Sequence, residues 1–575
     1  MSASSVSVAE NPGQHSAREW VQAALVSFCV AMAVVTPFFF LGTASGHDVA
    51  FHMASWLDTA EQWKQGVLFP RWTEWSNFGF GEPRFIFYPP LSWLFGAFLG
   101  ILIPWQAVSA VFIVIVQLFA GLCIYALSRH LADSRSAALL AAACYAANPY
   151  SLLIIYARCD FAELLAIAMF PILLLATLRL TGFFNDQEHC SAHNILSFAM
   201  WFCAIWLSNA PAAVIATYSV GFLLVFAALR QRSIEPLKTG GAGMGLGFGL
   251  SSFYLIPAIY EQRWVNISGI LSAGLRPAEN FLYARTSDAE HDAFNRMASN
   301  IAVLLIFWAV SAALAAWRME RATSPENRPR FFLPASLLAM IATLFMLPVT
   351  NIFWGVLPEM RFLQFPWRWM SIVALCAVMF TAASARGMLR WGWLLIAAVA
   401  IVGSGHYIAK HSWWDSDDMP TLQAAMAEGS GFEGTDEYDP AGDDRMDLPQ
   451  KAPRAAVLAS PSSHESDKVA KIVIERWAPE HRLVKVVTRE PGRLALHLLN
   501  YPAWRVLLNG NSVPATHPDG TQQMIIPIPR GESEVQIDFT RTFDRTLGGM
   551  ISIFSLMVWL MAWFWSRRAQ RIGRS

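Results

Sequence analysis

Apolar stretches of roughly 15 to 23 residues recur along the chain, and a bilayer core about 30 Å thick takes about 20 residues of helix to cross. Twelve of them are expected to span a membrane: 20–42, 107–128, 136–155, 162–182, 193–207, 210–230, 240–258, 299–317, 332–349, 367–384, 390–406 and 544–566. The piece 89–104, bracketed by Pro89, Pro90 and Pro104, is short and reads as a juxtamembrane helix. Basic loops test the count, because Lys and Arg collect on the cytoplasmic side of a membrane. With twelve spans, Arg129 and Arg135, then Arg230, Arg232 and Lys238, then Arg318, Arg321, Arg328 and Arg330, then Arg386 and Arg390 share one side. Arg567, Arg568, Arg571 and Arg574 join them. Reading 89–104 as a span would move Arg129 and Arg135 across. Both termini are therefore expected in the cytoplasm, with the first apolar stretch an uncleaved anchor.

Three polar regions are then expected on the outer side: 43–106, 259–298 and 407–543. The stretch 407–453 reads as an acidic linker of little regular structure, since 411–450 holds eleven acidic residues against Arg445 alone. From 454 to 543 the pattern changes to short β-prone runs such as KVAKIVIERW, RLVKVVTRE and EVQIDF. With hairpin signals at Asn509-Gly510 and Asp519-Gly520, these runs predict a β-sandwich-like domain. The fold class is thus an all-α polytopic membrane domain over 1–406, the linker, the β domain, and a last helix with a basic tail over 544–575.

Composition agrees. Of 575 residues, 55% are hydrophobic and only 15% charged, which excludes a soluble or disordered chain. The 24 Trp and 39 Phe suit side chains at membrane interfaces. Lys+Arg and Asp+Glu are equal at 42, so no global field draws the chain to nucleic acid. Five cysteines, Cys29, Cys123, Cys144, Cys203 and Cys376, fall in apolar runs, and Cys159 and Cys190 in short loops; they offer neither a disulfide framework nor a CxxC metal site. The glycines of GGAGMGLGFG (240–249) follow no strand and open a spanning helix, so they read as helix packing through Gly243, Gly245, Gly247 and Gly249 and not as a phosphate loop.

Ionisable residues are scarce inside the spans and gather at their outer mouth: His47, Asp48 and His52, then Arg158, Asp160 and Glu163, then Glu359, Arg361 and Arg368. At 100° per residue, the segment from Asp48 puts Met53, Trp56, Leu57, Ala60 and Trp63 on one helix face, and His52, Ser55, Thr59 and Gln62 on the other. Such a helix is expected to lie flat on the membrane surface with Asp48 at its first turn, where an N-cap role is the plain alternative. The rest of that loop, rich in Gly, Pro and aromatics, suits a shaped cover over a site or an irregular surface loop.

An apolar first helix, an Asp in the first outer loop ahead of an amphipathic helix, and a Pro-Pro-Leu entry to the next apolar segment resemble the GT-C class of membrane glycosyltransferases. Within it the strings GHDVAFH, PRWTEWSNFGFGEPRFIFYPPL, YARCDFAELLA, LPEMRFLQFPWRW and YPAWRVLLNG resemble bacterial membrane proteins labelled 6-pyruvoyl-tetrahydropterin-synthase-related. No zinc-binding His triad is visible, so the label does not carry pterin chemistry to this chain. The resemblance implies that Asp48 is the catalytic carboxylate and that Asp160 or Glu163 adds a second acidic group. It also implies a bacterial inner-membrane location with the site and the β domain facing the periplasm.

The chemistry is consistent. A donor outside the cytoplasm is expected to be a sugar on polyprenyl phosphate, whose phosphate leaves without needing an acid, whereas a glycosidase expels an alkoxide and needs two carboxylates. A transferase then needs a base for the acceptor hydroxyl, and cations for the phosphate. Arg158, Arg361 and Arg368 are the cationic candidates, with interface snorkelling as the alternative. His47, His52, Tyr88 and Gln364 complete the expected substrate contacts. No cofactor is expected; a divalent ion on His47, His52 and Asp160 is the less favoured reading. The expected function is transfer of a sugar from polyprenyl phosphate to an envelope glycan or lipid, with no nucleic-acid partner. The alternatives are a lipid or polysaccharide transporter and a non-catalytic envelope assembly factor.

Overall fold

The computed structural model describes residues 17–183, 192–321, 331–458 and 470–572. Cys190, Arg328, Arg330, Arg574, and Lys468 and Val469 at the start of the first β-prone run lie outside the described residues. Among those described, ten helices are long and apolar enough to cross a membrane, or eleven if one bent pair counts as a span. Two of the twelve expected spans account for the difference. Phe332–Phe345 breaks before Pro348 and turns through 90° into a short helix ending at Val356. Ala192–Trp206 has 15 residues, about 22 Å at 1.5 Å per residue, short of the hydrocarbon thickness. The juxtamembrane piece is a 13-residue helix, Pro90–Leu102, with Pro at its start.

Two of the basic loops, 129–136 and 386–390, meet each other, and the first joins the start of the first helix. Arg386 pairs with Asp133, Arg390 bonds Ser136, and Arg129 lies 3.6 Å from Glu19. The glycine run packs helices: a Cβ on Gly243 would come 2.6 Å from Phe198, on Gly247 2.8 Å from Phe202, and on Gly249 2.2 Å from Ser555. Gly245 alone of the four faces open space.

The β domain is a sandwich of two antiparallel sheets. Strands β1 (Ala455–Leu458), β2 (Lys471–Ala478), β3 (His481–Thr488), β4 (Gly492–Leu499), β5 (Trp504–Leu508), β6 (Asn511–Val513), β7 (Gln523–Ile528) and β8 (Gly531–Phe539) divide into the orders β1-β4-β7 and β2-β3-β8-β5-β6. Alternate residues such as Val484 and Val486, with Leu494, Leu496, Val535 and Ile537, fill the space between them. Asn509 and Gly510, both at positive φ, turn β5 into β6.

Two expectations change. The helix Val49–Lys64 does not lie flat on a surface, because both its faces are buried. Trp56 stacks on Phe112 at 5.5 Å on the bundle side. On the polar side Gln62 donates to the Trp72 carbonyl, Ser55 accepts from Arg84, and Asp58 accepts from the backbone N–H groups of Glu74 and Trp75. The loop's own backbone satisfies the polar face and so allows it to be buried.

The acidic segment is the second change: it carries a helix, Asp418–Glu428, and lies folded against loop 73–84. The Phe432 carbonyl accepts from the Phe78 N–H and the Phe432 N–H donates to the Trp75 carbonyl, Glu82 accepts from the Thr435 N–H, and Asn77 donates to Asp439 at 2.7 Å. The β domain covers the same loop. The two ring nitrogens of His497 meet the carbonyls of Phe78 and Ala452, Arg482 lies 3.8 Å from Glu74, and Trp72 packs on Trp504.

Burial, with the charge of Glu82, pushes Asp439 up to about 8, and burial pushes Glu437 up to about 7. Folding therefore raises both affinities for protons. Their contribution to docking is complete below the ordinary carboxylate range and is lost as pH rises through about 8. Amide hydrogen exchange across 432–447, corrected for intrinsic rate, is expected to be faster at about pH 8.5 than at about pH 6.

Candidate functional site

The site begins where loop 44–48 docks on the end of the helix that finishes at Arg158. That helix closes in one π turn, Ile154–Arg158, and Cys159 then takes a left-handed conformation at φ 57°. The Asp48 N–H donates to the Arg158 carbonyl at 2.9 Å and the Gly46 N–H to Cys159 Sγ at 3.2 Å; the thiol donates to the Ala44 carbonyl at 3.3 Å. Cys159 is thus a buried strut of the site.

Gly46 is required by this approach: a Cβ there would lie 2.3 Å from the Ala157 oxygen and 2.9 Å from the Arg158 carbonyl carbon. Backbone cannot swing aside as a side chain can. Gly46→Ala is expected to cost about 1–3 kcal/mol in thermal unfolding, while Gly245→Ala, facing open space, costs nothing measurable.

Asp48 precedes the helix Val49–Lys64, yet its side chain caps no N–H, so the N-cap alternative fails. Its carboxylate accepts instead from the Arg158 guanidinium. Asp48 is the more open partner, with 29% of its side chain exposed against 10% for Arg158. The Arg158 guanidinium lies 4.8 Å from the centre of the Phe365 ring and 5.9 Å from that of Trp367, within cation–π range of both.

Beneath this pair lies a buried layer. Asp160 caps the helix Phe161–Ala168 by accepting from the Glu163 N–H at 2.9 Å, and His52 Nε2 is 3.5 Å from its carboxylate. Arg368 bridges both acids, with Nε donating to Glu163 at 3.0 Å and Nη2 3.6 Å from Asp160, and donates a second hydrogen bond to the Leu363 carbonyl. Tyr150 donates to the other Glu163 oxygen. Burial alone would raise the Asp160 pKa, but His52 at 3.5 Å, with Arg368 and Arg158, outweighs it and holds the carboxyl below its usual range. Tyr88 packs on Phe51 at 4.7 Å and on His52 at 5.9 Å. Burial, with Asp160 and Asp48 nearby, raises its phenol.

The structure therefore gathers Asp48, His52, Tyr88, Arg158, Asp160, Glu163 and Arg368. His47 stands beside them, exposed, with its ring edge-on to Phe294 at 4.9 Å. The contacts of two other residues lie outside the cluster: Arg361 is exposed and lies over its neighbour Phe362, and Gln364 donates to the Ile270 carbonyl. Arg368 is corrected from a phosphate clamp to a buried counter-ion, since two carboxylates already occupy it and its side chain is 4% exposed. Glu163, Asp160 and His52 are likewise too buried to meet a substrate without rearrangement.

Tyr150, Cys159 and the Phe365–Trp367 platform were not expected. The spacing Asp160-x-x-Glu163 ahead of an apolar run is the capping-box pattern that would have shown these acids on one helix turn. Among the described residues no three His, Cys, Asp or Glu side chains group as a metal-holding set.

Three carboxyl groups and two guanidiniums meet here. An anion entering the cluster finds Arg158 already held by Asp48. A neutral hydroxyl finds the one carboxylate that reaches solvent.

No curated protein matches the chain. Among solved structures, the arabinofuranosyltransferase AftD from Mycobacteria is similar at 15% identity and a TM-score of 0.42, over 69% of this chain and 27% of that one. A mutant form of the same protein gives 15% identity and a TM-score of 0.42, over 68% and 28%. The chain thus spans little more than a quarter of that protein's length. A family described as 6-pyruvoyl-tetrahydropterin synthase related domain, a membrane protein, matches residues 85–414, more than half of the sequence. The chain belongs to this 6-pyruvoyl-tetrahydropterin-synthase-related family of membrane proteins.

Proposed function

We propose that the protein is a GT-C type glycosyltransferase that moves a sugar from a polyprenyl-phosphate donor to a periplasmic glycan or lipid, with Asp48 as general base. The observation that carries the reading is the Asp48–Arg158 pair. It puts a solvent-reaching carboxylate beside a guanidinium that lies over Phe365 and near Trp367, at the mouth of the helix bundle.

In the reaction the bond between the sugar's anomeric carbon and the phosphate oxygen breaks, and its electron pair stays on the phosphate. A bond forms from the acceptor oxygen to the anomeric carbon, and the acceptor's proton passes to Asp48. Arg158 faces the charge that grows on the leaving phosphate. Asp160, Glu163 and Arg368 fix the layer below and hold Arg158's surroundings in place; they do not touch substrate. No metal enters this scheme, so chelation is expected to leave turnover unchanged.

The test is mass spectrometry of polyprenyl-linked sugars and envelope glycans in cells with and without the protein. Its loss should leave a lipid-linked monosaccharide in excess and a glycan lacking that sugar. An unchanged lipid-linked pool would contradict the proposal. A lipid-linked sugar trapped on the cytoplasmic side would favour transport instead.

A further inference from the structure

We infer that Arg158 is an exchange site: at rest it holds Asp48, and the phosphate of a lipid-linked donor takes its place and so frees the carboxylate to act as base. This rests on the glycosyltransferase reading and adds how its site is controlled.

Four observations carry it. First, Arg158 has spare capacity: its Nε is buried with no hydrogen-bond partner, and the side chain is nine-tenths buried. Second, of the two arginines in the cluster it is the more exposed and has one acidic partner, whereas Arg368 is held by both Glu163 and Asp160. Third, Asp48 is the outward member of the pair, so an anion reaching the guanidinium arrives on the side Asp48 occupies. Fourth, Arg158 is anchored while Asp48 is not. The guanidinium lies over Phe365 and near Trp367, whereas the Asp48 carboxylate makes no capping bond and has Arg158 as its ion-pair partner.

Two anions on one guanidinium repel, and a phosphate with three oxygens to share among the Nη groups outcompetes a carboxylate held at one atom. The carboxylate yields. Without donor, the Asp48 carboxylate is occupied by the Arg158 guanidinium; with donor bound, it stands free to receive the acceptor's proton. The base is switched on by the substrate it serves.

Exchange makes a prediction that simple repulsion does not: removing the Asp48 charge should strengthen phosphate binding only while the Arg158 guanidinium is present. The probe is farnesyl monophosphate, without sugar, titrated onto the full-length protein in nanodiscs. Asp48→Asn and Asp48→Ala are each expected to bind it about tenfold tighter than the parent, and Arg158→Gln about tenfold weaker. The double variant should bind like Arg158→Gln alone, because the competitor matters only while the guanidinium is present. Thermal unfolding of each variant confirms that it is folded.

If Asp48→Asn binds no tighter than the parent while Arg158→Gln binds weaker, exchange is overturned and the donor reading stands. If neither the parent nor any variant binds, both are overturned.

Discussion

Asp48→Asn is expected to lower turnover by about 10²- to 10⁴-fold while leaving the thermal unfolding temperature unchanged. The two halves of that expectation have separate origins. Asn keeps the shape and a hydrogen-bond acceptor for Arg158 but cannot take a proton, so the chemical step loses its base. Stability is unaffected because the side chain caps no helix N–H and is part-exposed. A drop in turnover together with a drop in unfolding temperature would mean that Asp48 is structural. Steady-state kinetics on purified protein beside calorimetry separates the two.

Arg368→Met is expected to have the opposite signature. It leaves Glu163 and Asp160, 1% and 4% exposed at their side chains, without the cation between them. Breaking a buried ion pair by removing one partner costs about 3–5 kcal/mol, because the remaining charge is buried and uncompensated. The variant should therefore unfold at lower temperature or fail to accumulate, whatever its activity. Combining it with Glu163→Gln removes one of the stranded charges and should recover part of the loss. If Arg368→Met unfolds like the parent, the buried layer is not what holds the Arg158 platform in place.

The sequence carried much of this arrangement, for identifiable reasons. Apolar runs and basic loops report on a bilayer directly, so most spans were legible, as were the β runs through their alternation and the Asn509-Gly510 turn. The failures lie where tertiary contact overrides local pattern. The helix Val49–Lys64 looked like a surface helix because its polar face is real; what buries that face is loop 72–84, whose backbone answers Gln62 and Asp58. The acidic segment looked unstructured because its charges are many. Its fold depends on partners far away in the chain, such as Asn77 for Asp439.

The site shows the same division. Asp48, Asp160 and Glu163 stood out as charges at the mouth of apolar helices, and resemblance gave the first its role. That Arg368 would bond Glu163, 205 residues earlier, has no local signature. Nor could spacing show that Arg361, a few residues from Arg368, would lie over its neighbour Phe362 and outside the cluster. Two arginines of one motif, LPEMRFLQFPWRW, end in different environments, with Gln364 between them at a φ of +60°.

Everything proposed for Asp48 requires that it face the non-cytoplasmic side of the membrane, where a lipid-linked donor is presented. The most direct measurement is side-specific labelling of a His47→Cys protein with a membrane-impermeant maleimide, read against the parent with its native thiols. His47 neighbours Asp48 and is exposed, so the new thiol samples the same surface. The account predicts additional labelling in intact cells once the outer envelope is opened, with no further gain when the inner membrane is breached. Labelling that appears only after the inner membrane is breached would put the carboxylate in the cytoplasm and contradict the account.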